Sequence, residues 1–184
     1  MRRALWLPLA LVLVSGFAAA DPCVSGLNSG QRPGPYSFVL STGNYRGQPF
    51  CFICDTADKP AVILFARTPS EATGKLANQI DKALGDHKAA DLRGWVTFLS
   101  EDQPKLDPEL VRWSQKHSLK TLPVGVFEDS AGPPSYKLAK DADLTVLLFV
   151  KRKVVANFAY RAGELNDAAI AEIMKTLPKL VEKQ

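Results

Sequence analysis

Apolar residues are concentrated in six short runs whose length is typical of β-strands. The run Ala61–Phe65 is continuous, as in a central strand that is buried on both faces of a sheet. Two β-rich runs flank the polar residues 151–153, and this pattern predicts an antiparallel hairpin. The predicted strands are Tyr36–Leu40, Ala61–Phe65, Leu92–Leu99, Leu122–Phe127, Leu144–Val150 and Val154–Tyr160.

Between these runs, apolar residues recur at the three- to four-residue spacing of amphipathic helices. Thr68 is the predicted N-cap of the first helix, with Pro69 as its first residue and Glu71 reaching back to form a capping box. A second helix is predicted to begin after Asp107, and the last helix to be capped by Asn166.

The order of these elements predicts an α/β fold. Helices between successive strands imply right-handed crossovers, a mainly parallel centre and helices on both faces, which makes three layers. The hairpin adds antiparallel strands, so the central sheet is mixed, and a terminal helix follows. We assign this domain to residues 47–184. Residues 21–35 are rich in Gly, Pro, Ser and Asn and have little to bury, and we expect residues 21–46 to be a loosely structured N-terminal segment.

The first 20 residues have the pattern of a secretory signal peptide. Arg2 and Arg3 give a positive start, Ala4–Val14 is apolar but short for a membrane span, and Ala18–Ala20 fits a cleavage site. We therefore expect residues 1–20 to be removed and the mature chain to be exported, to the periplasm or beyond, without a membrane anchor. Such a compartment permits disulfides.

The composition excludes several classes of protein. With 46% hydrophobic and 23% charged residues, the chain is not collagen-like, disordered or a coiled coil. The formal net charge of +4 has little weight, because Arg2 and Arg3 lie in the predicted signal peptide. The sequence has no stripe of Lys and Arg interleaved with aromatic residues, so we expect no nucleic-acid partner.

Three segments together resemble the thioredoxin-like fold superfamily, and more closely its redoxin branch of peroxiredoxins and periplasmic thiol oxidoreductases. They are the strand Ala61–Arg67 that runs directly into a helix, the stretch Leu122–Asp129 followed by Gly132 and Tyr136, and the strand, hairpin and helix over Leu144–Leu180. The resemblance spans residues 47–180. It implies a three-layer fold and chemistry carried by cysteine thiols.

The chain departs from the redoxin branch where the reactive cysteine belongs. The resemblance implies a cysteine at the helix N-terminus after the first central strand, where free N–H groups and the helix dipole stabilise a thiolate. Here Thr68 and Pro69 are followed at that place by Glu71. A carboxylate cannot reduce a peroxide, so we expect no peroxidase activity. The cis-proline that the resemblance implies has two placements, Pro123 if the fold is a minimal thioredoxin and Leu144 under the redoxin alignment. We favour Leu144, and expect its peptide bond to be trans.

The sequence does contain a C-x-x-C pair, Cys51 and Cys54, but this pair precedes the central strand. In a regular strand the two side chains would point to opposite faces and could not be bridged. A disulfide between them therefore requires a turn or a helical kink at Phe52 and Ile53.

Four interpretations of the pair stay open. It is a redox-active disulfide in a shifted position, a structural disulfide (internal or with Cys23), two buried thiols, or part of a metal site. A closed zinc site needs four ligands, which Cys51 and Cys54 could reach only with Cys23 and either His87 or His117.

The leading hypothesis is an exported thiol–disulfide oxidoreductase that acts on protein thiols or disulfides through Cys51 and Cys54. The more exposed thiolate attacks a partner disulfide and the other cysteine resolves the mixed disulfide, with Cys51 as the expected attacker. The alternative is a catalytically silent thioredoxin-fold module that binds a protein or stabilises an assembly. The sequence indicates no cofactor, no metal ion and no particular oligomeric state.

Overall fold

Seven strands form one mixed sheet in the computed structural model, which describes residues 21–182. The predicted signal peptide lies outside the described residues. The strands are β1 (Phe38–Leu40), β2 (Pro49–Phe50), β3 (Ala61–Ala66), β4 (Arg93–Leu99), β5 (Val124–Phe127), β6 (Leu144–Val150) and β7 (Lys153–Tyr160). The helices are α1 (Phe52–Thr56), α2 (Glu71–Asp86), α3 (Gln103–Lys116), α4 (Asp167–Thr176) and α5 (Pro178–Val181), with 3₁₀ turns at Lys88–Ala90 and Pro134–Tyr136.

The sheet order is β2-β1-β5-β4-β3-β6-β7. Strand β3 pairs in parallel with β4 and antiparallel with β6, and β4 pairs in parallel with β5. Strands β6 and β7 form the predicted antiparallel hairpin, and β1 is antiparallel to both β2 and β5. All six residues of β3 are buried, in agreement with its continuous apolar run. The α/β class with a mixed central sheet is confirmed.

Successive side chains of each strand point to opposite faces of the sheet, and each face has its own hydrophobic core. Helices α2 and α3 cover the first core, because β3, β4 and β5 are neighbours in sequence order and the two right-handed crossovers then share a face. Helix α4, which follows β7, packs on the same core. The second core is richer in aromatic residues and lies under α1, the 3₁₀ turn Pro134–Tyr136 and the N-terminal segment. The predicted three layers are therefore present. Within the described residues, no helix is both long and apolar enough to cross a membrane.

The expectation that residues 21–35 have little to bury is wrong. Leu27 is only 3% exposed and belongs to the second core. The hydroxyls of Ser25 and Thr145 share a hydrogen bond of 2.7 Å, and Asn157 donates to the carbonyls of Ser25 and Leu27 at 2.7 and 3.0 Å. The backbone before β1 is irregular, but this segment covers the second core and its polar groups are hydrogen-bonded to the hairpin.

Helix α2 begins two residues later than the capping box predicts. Its N-cap is Ser70, whose Oγ accepts a hydrogen bond from the Thr73 N–H at 3.1 Å. Thr68 instead donates to the carboxylate of Asp143 at 2.8 Å. Both hydroxyl residues suit an N-cap. Thr68 bonds to Asp143, which is distant in the sequence, and Ser70 therefore caps the helix.

Helix α3 begins earlier than predicted. Its N-cap is Asp102, whose carboxylate accepts from the Lys105 N–H at 3.1 Å, so Pro108 lies inside the helix. Asp107 pairs with Arg46 at 3.0 Å instead of capping. By contrast, Asn166 caps α4 as predicted: its side chain accepts a hydrogen bond from the N–H of Ala169 at 3.0 Å.

Candidate redox site

Cys51 and Cys54 form a disulfide across the first turn of α1, with their Cα atoms 5.4 Å apart. Cys51 is the N-cap of this helix and has an extended backbone, while Cys54 lies inside the helix. Residues three apart are neighbours on a helical turn, which brings the two sulfurs together. The predicted bend is therefore present, and it is a helical turn.

The two residues between the cysteines attach α1 to the sheet. Phe52 and Ile53 both pack against the second core. The Phe52 ring stacks on Trp95 with centroids 5.2 Å apart and also contacts Phe50 at 4.5 Å. Phe52 and Ile53 are not the residue types that turns favour. Their apolar side chains instead hold the short helix against the aromatic core.

The two sulfurs have different surroundings. Cys51 is partly buried, and its Sγ accepts a hydrogen bond from the backbone N–H of Cys54 at 3.3 Å. Cys54 is exposed and borders a cleft of about 210 Å³. The other residues that line this cleft are Pro33, Pro35, Ile53, Ala57, Phe149 and Arg152. A second molecule can approach Cys54 more easily than Cys51.

Charged side chains lie beside α1 at the start of β4. Arg93 bonds to Asp91 at 2.8 Å and to Asp55 of α1 at 3.5 Å. Lys59 also pairs with Asp91. Hydrogen bonds from Lys59 and then from Arg93 lower the pKa of the Asp91 carboxyl below its usual range. These pairs connect α1, the segment that follows it and β4.

Left-handed backbone conformations cluster around the disulfide. The φ angles of Ala57, Asp91, Lys151 and Arg152 are 52°, 48°, 51° and 57°, a region that costs a residue with a side chain roughly 1–2 kcal/mol. Lys151 and Arg152 form the β6–β7 turn. The Lys151 N–H donates a hydrogen bond to the Asp58 carbonyl at 3.0 Å. Strain of this kind persists where surrounding contacts enforce it, and it is common at functional sites.

The place after β3, where the redoxin resemblance implies a reactive cysteine, holds a different arrangement. The Arg67 guanidinium donates to the carbonyls of Ala142 and Ala139 at 2.9 and 3.0 Å, and also to that of Ser130. Glu71 pairs with Lys116 at 2.5 Å. The disulfide precedes β3 and this network follows it, so they lie at opposite ends of the strand, about 20 Å apart at ~3.3 Å per residue.

Cys23, His87 and His117, the other residues considered as partners of the two cysteines, do not bond to Cys51 or Cys54. Cys23 is a free thiol near Arg161, with a pKa raised by burial. His117 packs edge-on against the Trp113 ring at 5.2 Å, and His87 ends helix α2. The interpretations as free thiols or as a bridge with Cys23 are therefore wrong. Within residues 21–182, no group of three His, Cys, Asp or Glu side chains is placed to hold a metal ion.

The branch's cis-proline has no counterpart in this part of the molecule. All peptide bonds across residues 21–182 are trans, including that of Leu144 as expected.

No protein-family model and no curated protein matches the chain, but many solved structures do. A candidate protein disulfide isomerase from Bacteroides thetaiotaomicron superposes with a TM-score of 0.64 at 16% identity, over 86% of this chain and 93% of that chain. Peroxidoxin BcpB from Mycobacterium tuberculosis gives 0.58 at 14%, over 83% and 97%. A secreted disulfide oxidoreductase of M. tuberculosis, homologous to E. coli DsbE, gives 0.54 at 11%, over 79% and 96%. The chain therefore has the thioredoxin-like fold.

Proposed function

We propose that this protein is an exported thiol–disulfide oxidoreductase that exchanges disulfides with protein cysteines through Cys51 and Cys54. The observation that carries the proposal is the Cys51–Cys54 bond itself, closed in one helical turn with Cys54 exposed beside a cleft. Structures with the same fold include proteins described as disulfide oxidoreductases, which supports the reaction class.

The short loop that this disulfide closes supports exchange more than a purely structural role. In the chain-entropy model, closing a loop of four residues stabilises a protein by about 2 kcal/mol, against about 3 kcal/mol for a loop of 15. Two hydrophobic cores already hold the sheet on both faces. Opening the bond therefore leaves most of the folding free energy in place, as a reversible redox pair requires.

The surroundings of the sulfurs suggest separate roles. A partner thiolate attacks the exposed Cys54 Sγ, the S–S bond breaks, and its electron pair leaves on Cys51 Sγ. The Cys54 N–H, 3.3 Å from that sulfur, stabilises the departing thiolate. A second partner thiolate then attacks the partner's sulfur in the mixed disulfide. The partner becomes a disulfide and this protein a dithiol. The same steps in reverse reduce a partner.

This assignment replaces Cys51 by Cys54 as the sulfur that reacts with the partner. The more exposed cysteine is expected to attack, and Cys54 is the more exposed of the two. Cys51 then becomes the leaving group in one direction and the resolving thiolate in the other.

The test combines variants with a redox titration of the mature protein. We expect Cys54→Ser to abolish insulin reduction and Cys51→Ser to accumulate a mixed disulfide at Cys54. Cys23→Ser is the control and should keep full activity. The wild-type pair should equilibrate with glutathione at a potential on the order of −120 to −270 mV. Activity that survives in Cys54→Ser contradicts the proposal, as does a bond more resistant than about −300 mV.

Export is part of the proposal and rests on the sequence pattern of residues 1–20. Expression of the full chain in a bacterial host, followed by N-terminal sequencing of the periplasmic fraction, should give Asp21 as the first residue. Recovery of the uncleaved chain in the cytoplasm contradicts it.

The second candidate is a catalytically silent binding module with a structural disulfide. It is favoured by Glu71 and the Arg67 network at the place where the redoxin resemblance implies a cysteine. In that case both cysteine variants should bind the same partner as the wild-type protein does.

A further inference from the structure

The cleft beside Cys54 has the size and the lining of a subsite for one apolar side chain. Its volume is about 210 Å³, below the roughly 300–1,000 Å³ of sites that enclose a whole small molecule. Pro33 and Pro35 form one wall, and Ile53 and Phe149 provide further apolar surface next to Cys54. A side chain adjacent to a partner's cysteine would enter this cleft while the sulfurs meet.

The charge at the rim of the cleft comes from Arg152. Arg152 lines it and pairs with Asp58 at 3.3 Å, but the side chains are 60% and 75% exposed, and such pairs are weak in water. The neighbouring Lys151 makes no ion pair with any other described residue, 21–182. Lys151 lines a neighbouring cleft that shares Ala57 with the first, so Arg152 is the cation of the turn at the Cys54 cleft and Lys151 lies beside it.

The β6–β7 turn holds the backbone of both cationic residues in place. Lys151 and Arg152 both have left-handed backbones, and the Lys151 N–H is bonded to the Asp58 carbonyl at 3.0 Å. Asp58 belongs to the segment that follows α1, so one contact fixes the turn relative to Cys54. A backbone that is already ordered lowers the entropy cost of binding a ligand, and this favours recognition.

We infer that the cleft and the cationic turn recognise an extended segment of a partner polypeptide in which the cysteine is preceded by an apolar and an acidic residue. The apolar side chain occupies the cleft, and the carboxylate binds Arg152, with Lys151 adding positive charge from beside the cleft. This inference rests on the proposed function, because it names the substrate class for exchange at Cys54.

The test uses the Cys23→Ser/Cys51→Ser protein, in which Cys54 is the remaining cysteine of the mature chain. Its thiolate reacts with capped peptides whose cysteine carries thionitrobenzoate: it attacks the peptide sulfur, the S–S bond breaks and coloured thionitrobenzoate leaves. We expect Glu-Leu-Cys to react roughly three- to fivefold faster than Lys-Leu-Cys, the size expected for an exposed ion pair. Glu-Leu-Cys should also react faster than Glu-Ser-Cys.

Charge reversal identifies the residues responsible. Lys151→Glu/Arg152→Glu should reverse the preference between Glu-Leu-Cys and Lys-Leu-Cys. The control Arg112→Glu changes an exposed cation of α3, on the opposite face of the sheet, and should keep the preference. Added salt should reduce the preference in the parent protein.

Two outcomes separate this inference from the proposed function. Dithiodipyridine, a small neutral disulfide, measures the reactivity of Cys54 alone. If Cys54 reacts with dithiodipyridine but with all three peptides at equal rates, the recognition is overturned and exchange at Cys54 is retained. If Cys54 reacts with neither dithiodipyridine nor the peptides, the proposed function itself fails.

Discussion

At the scale of single residues, Asp81 shows how a buried charge is stabilised. Its carboxylate on α2 accepts the backbone N–H groups of Lys120, Thr121 and Leu122 at distances between 2.6 and 3.2 Å, and also the Thr121 hydroxyl at 2.9 Å. Burial alone would raise the pKa of Asp81, but these hydrogen bonds outweigh it and lower the pKa below its ordinary value. The carboxylate joins α2 to the loop before β5.

We expect Asp81→Asn to lower the free energy of unfolding by about 2 kcal/mol at neutral pH, because hydrogen bonds to a charged acceptor are lost. A lowered folded pKa means that this stabilisation is present above the unfolded value of about 3.9 and is lost as the pH falls through the folded pKa. The free energy of unfolding in urea, measured for the wild-type protein and for Asp81→Asn, should therefore differ less at pH 3 than at pH 7. Asp86→Asn, at an exposed position of the same helix, is the control. A difference that does not change with pH contradicts the assignment.

At the scale of elements, the β6–β7 turn combines strain with a specific position. Its residues Lys151 and Arg152 lie in a backbone region that favours Gly or Asn, yet neither is present. The turn is held there by its bond to Asp58 and faces the Cys54 cleft.

Lys151→Gly should raise the free energy of unfolding by about 0.5–1 kcal/mol, because glycine adopts φ near 51° without strain. The matched change Lys153→Gly lies in β7 with an ordinary φ and should instead lower it by about 0.5–1 kcal/mol. Chemical denaturation of both variants measures the two signs. Destabilisation by both would show that the turn is not strained.

Some helices and strands could be predicted from the sequence and others could not. The six predicted strands and the Asn166 cap are present because apolar runs and caps are local signals. The starts of α2 and α3 were misplaced because Thr68 and Asp107 bond to residues distant in the sequence. The bend at Cys51 was predicted only as a condition for a disulfide. The exposure of Cys54 depends on the N-terminal segment and the hairpin, which no local pattern connects to it.

At the scale of the whole molecule, the N-terminal segment is a structural part of the fold. It covers the second core where the long helices are absent, and it is bonded to the hairpin through Ser25 and Asn157. Gly26 is the point of closest approach, since a Cβ there would lie 2.7 Å from Thr145 Cγ2.

Gly26→Ala should lower the free energy of unfolding by about 2–4 kcal/mol, from left-handed strain and from crowding in a packed region. The control is Gly30→Ala, where φ is also positive but no atom lies within 4 Å of the added Cβ. This control should cost only about 1–2 kcal/mol. Thermal or urea unfolding compares the two variants, and equal losses would mean that the segment is not closely packed.

The stacking of Phe52 on the Trp95 indole gives the protein an intrinsic optical probe. Phe52 lies between the two cysteines, so a rearrangement of α1 changes the environment of a buried fluorophore. Trp113 lies on the other face of the sheet, away from the disulfide, so its surroundings should not change with the redox state. The state of the disulfide can therefore be followed in real time without a label.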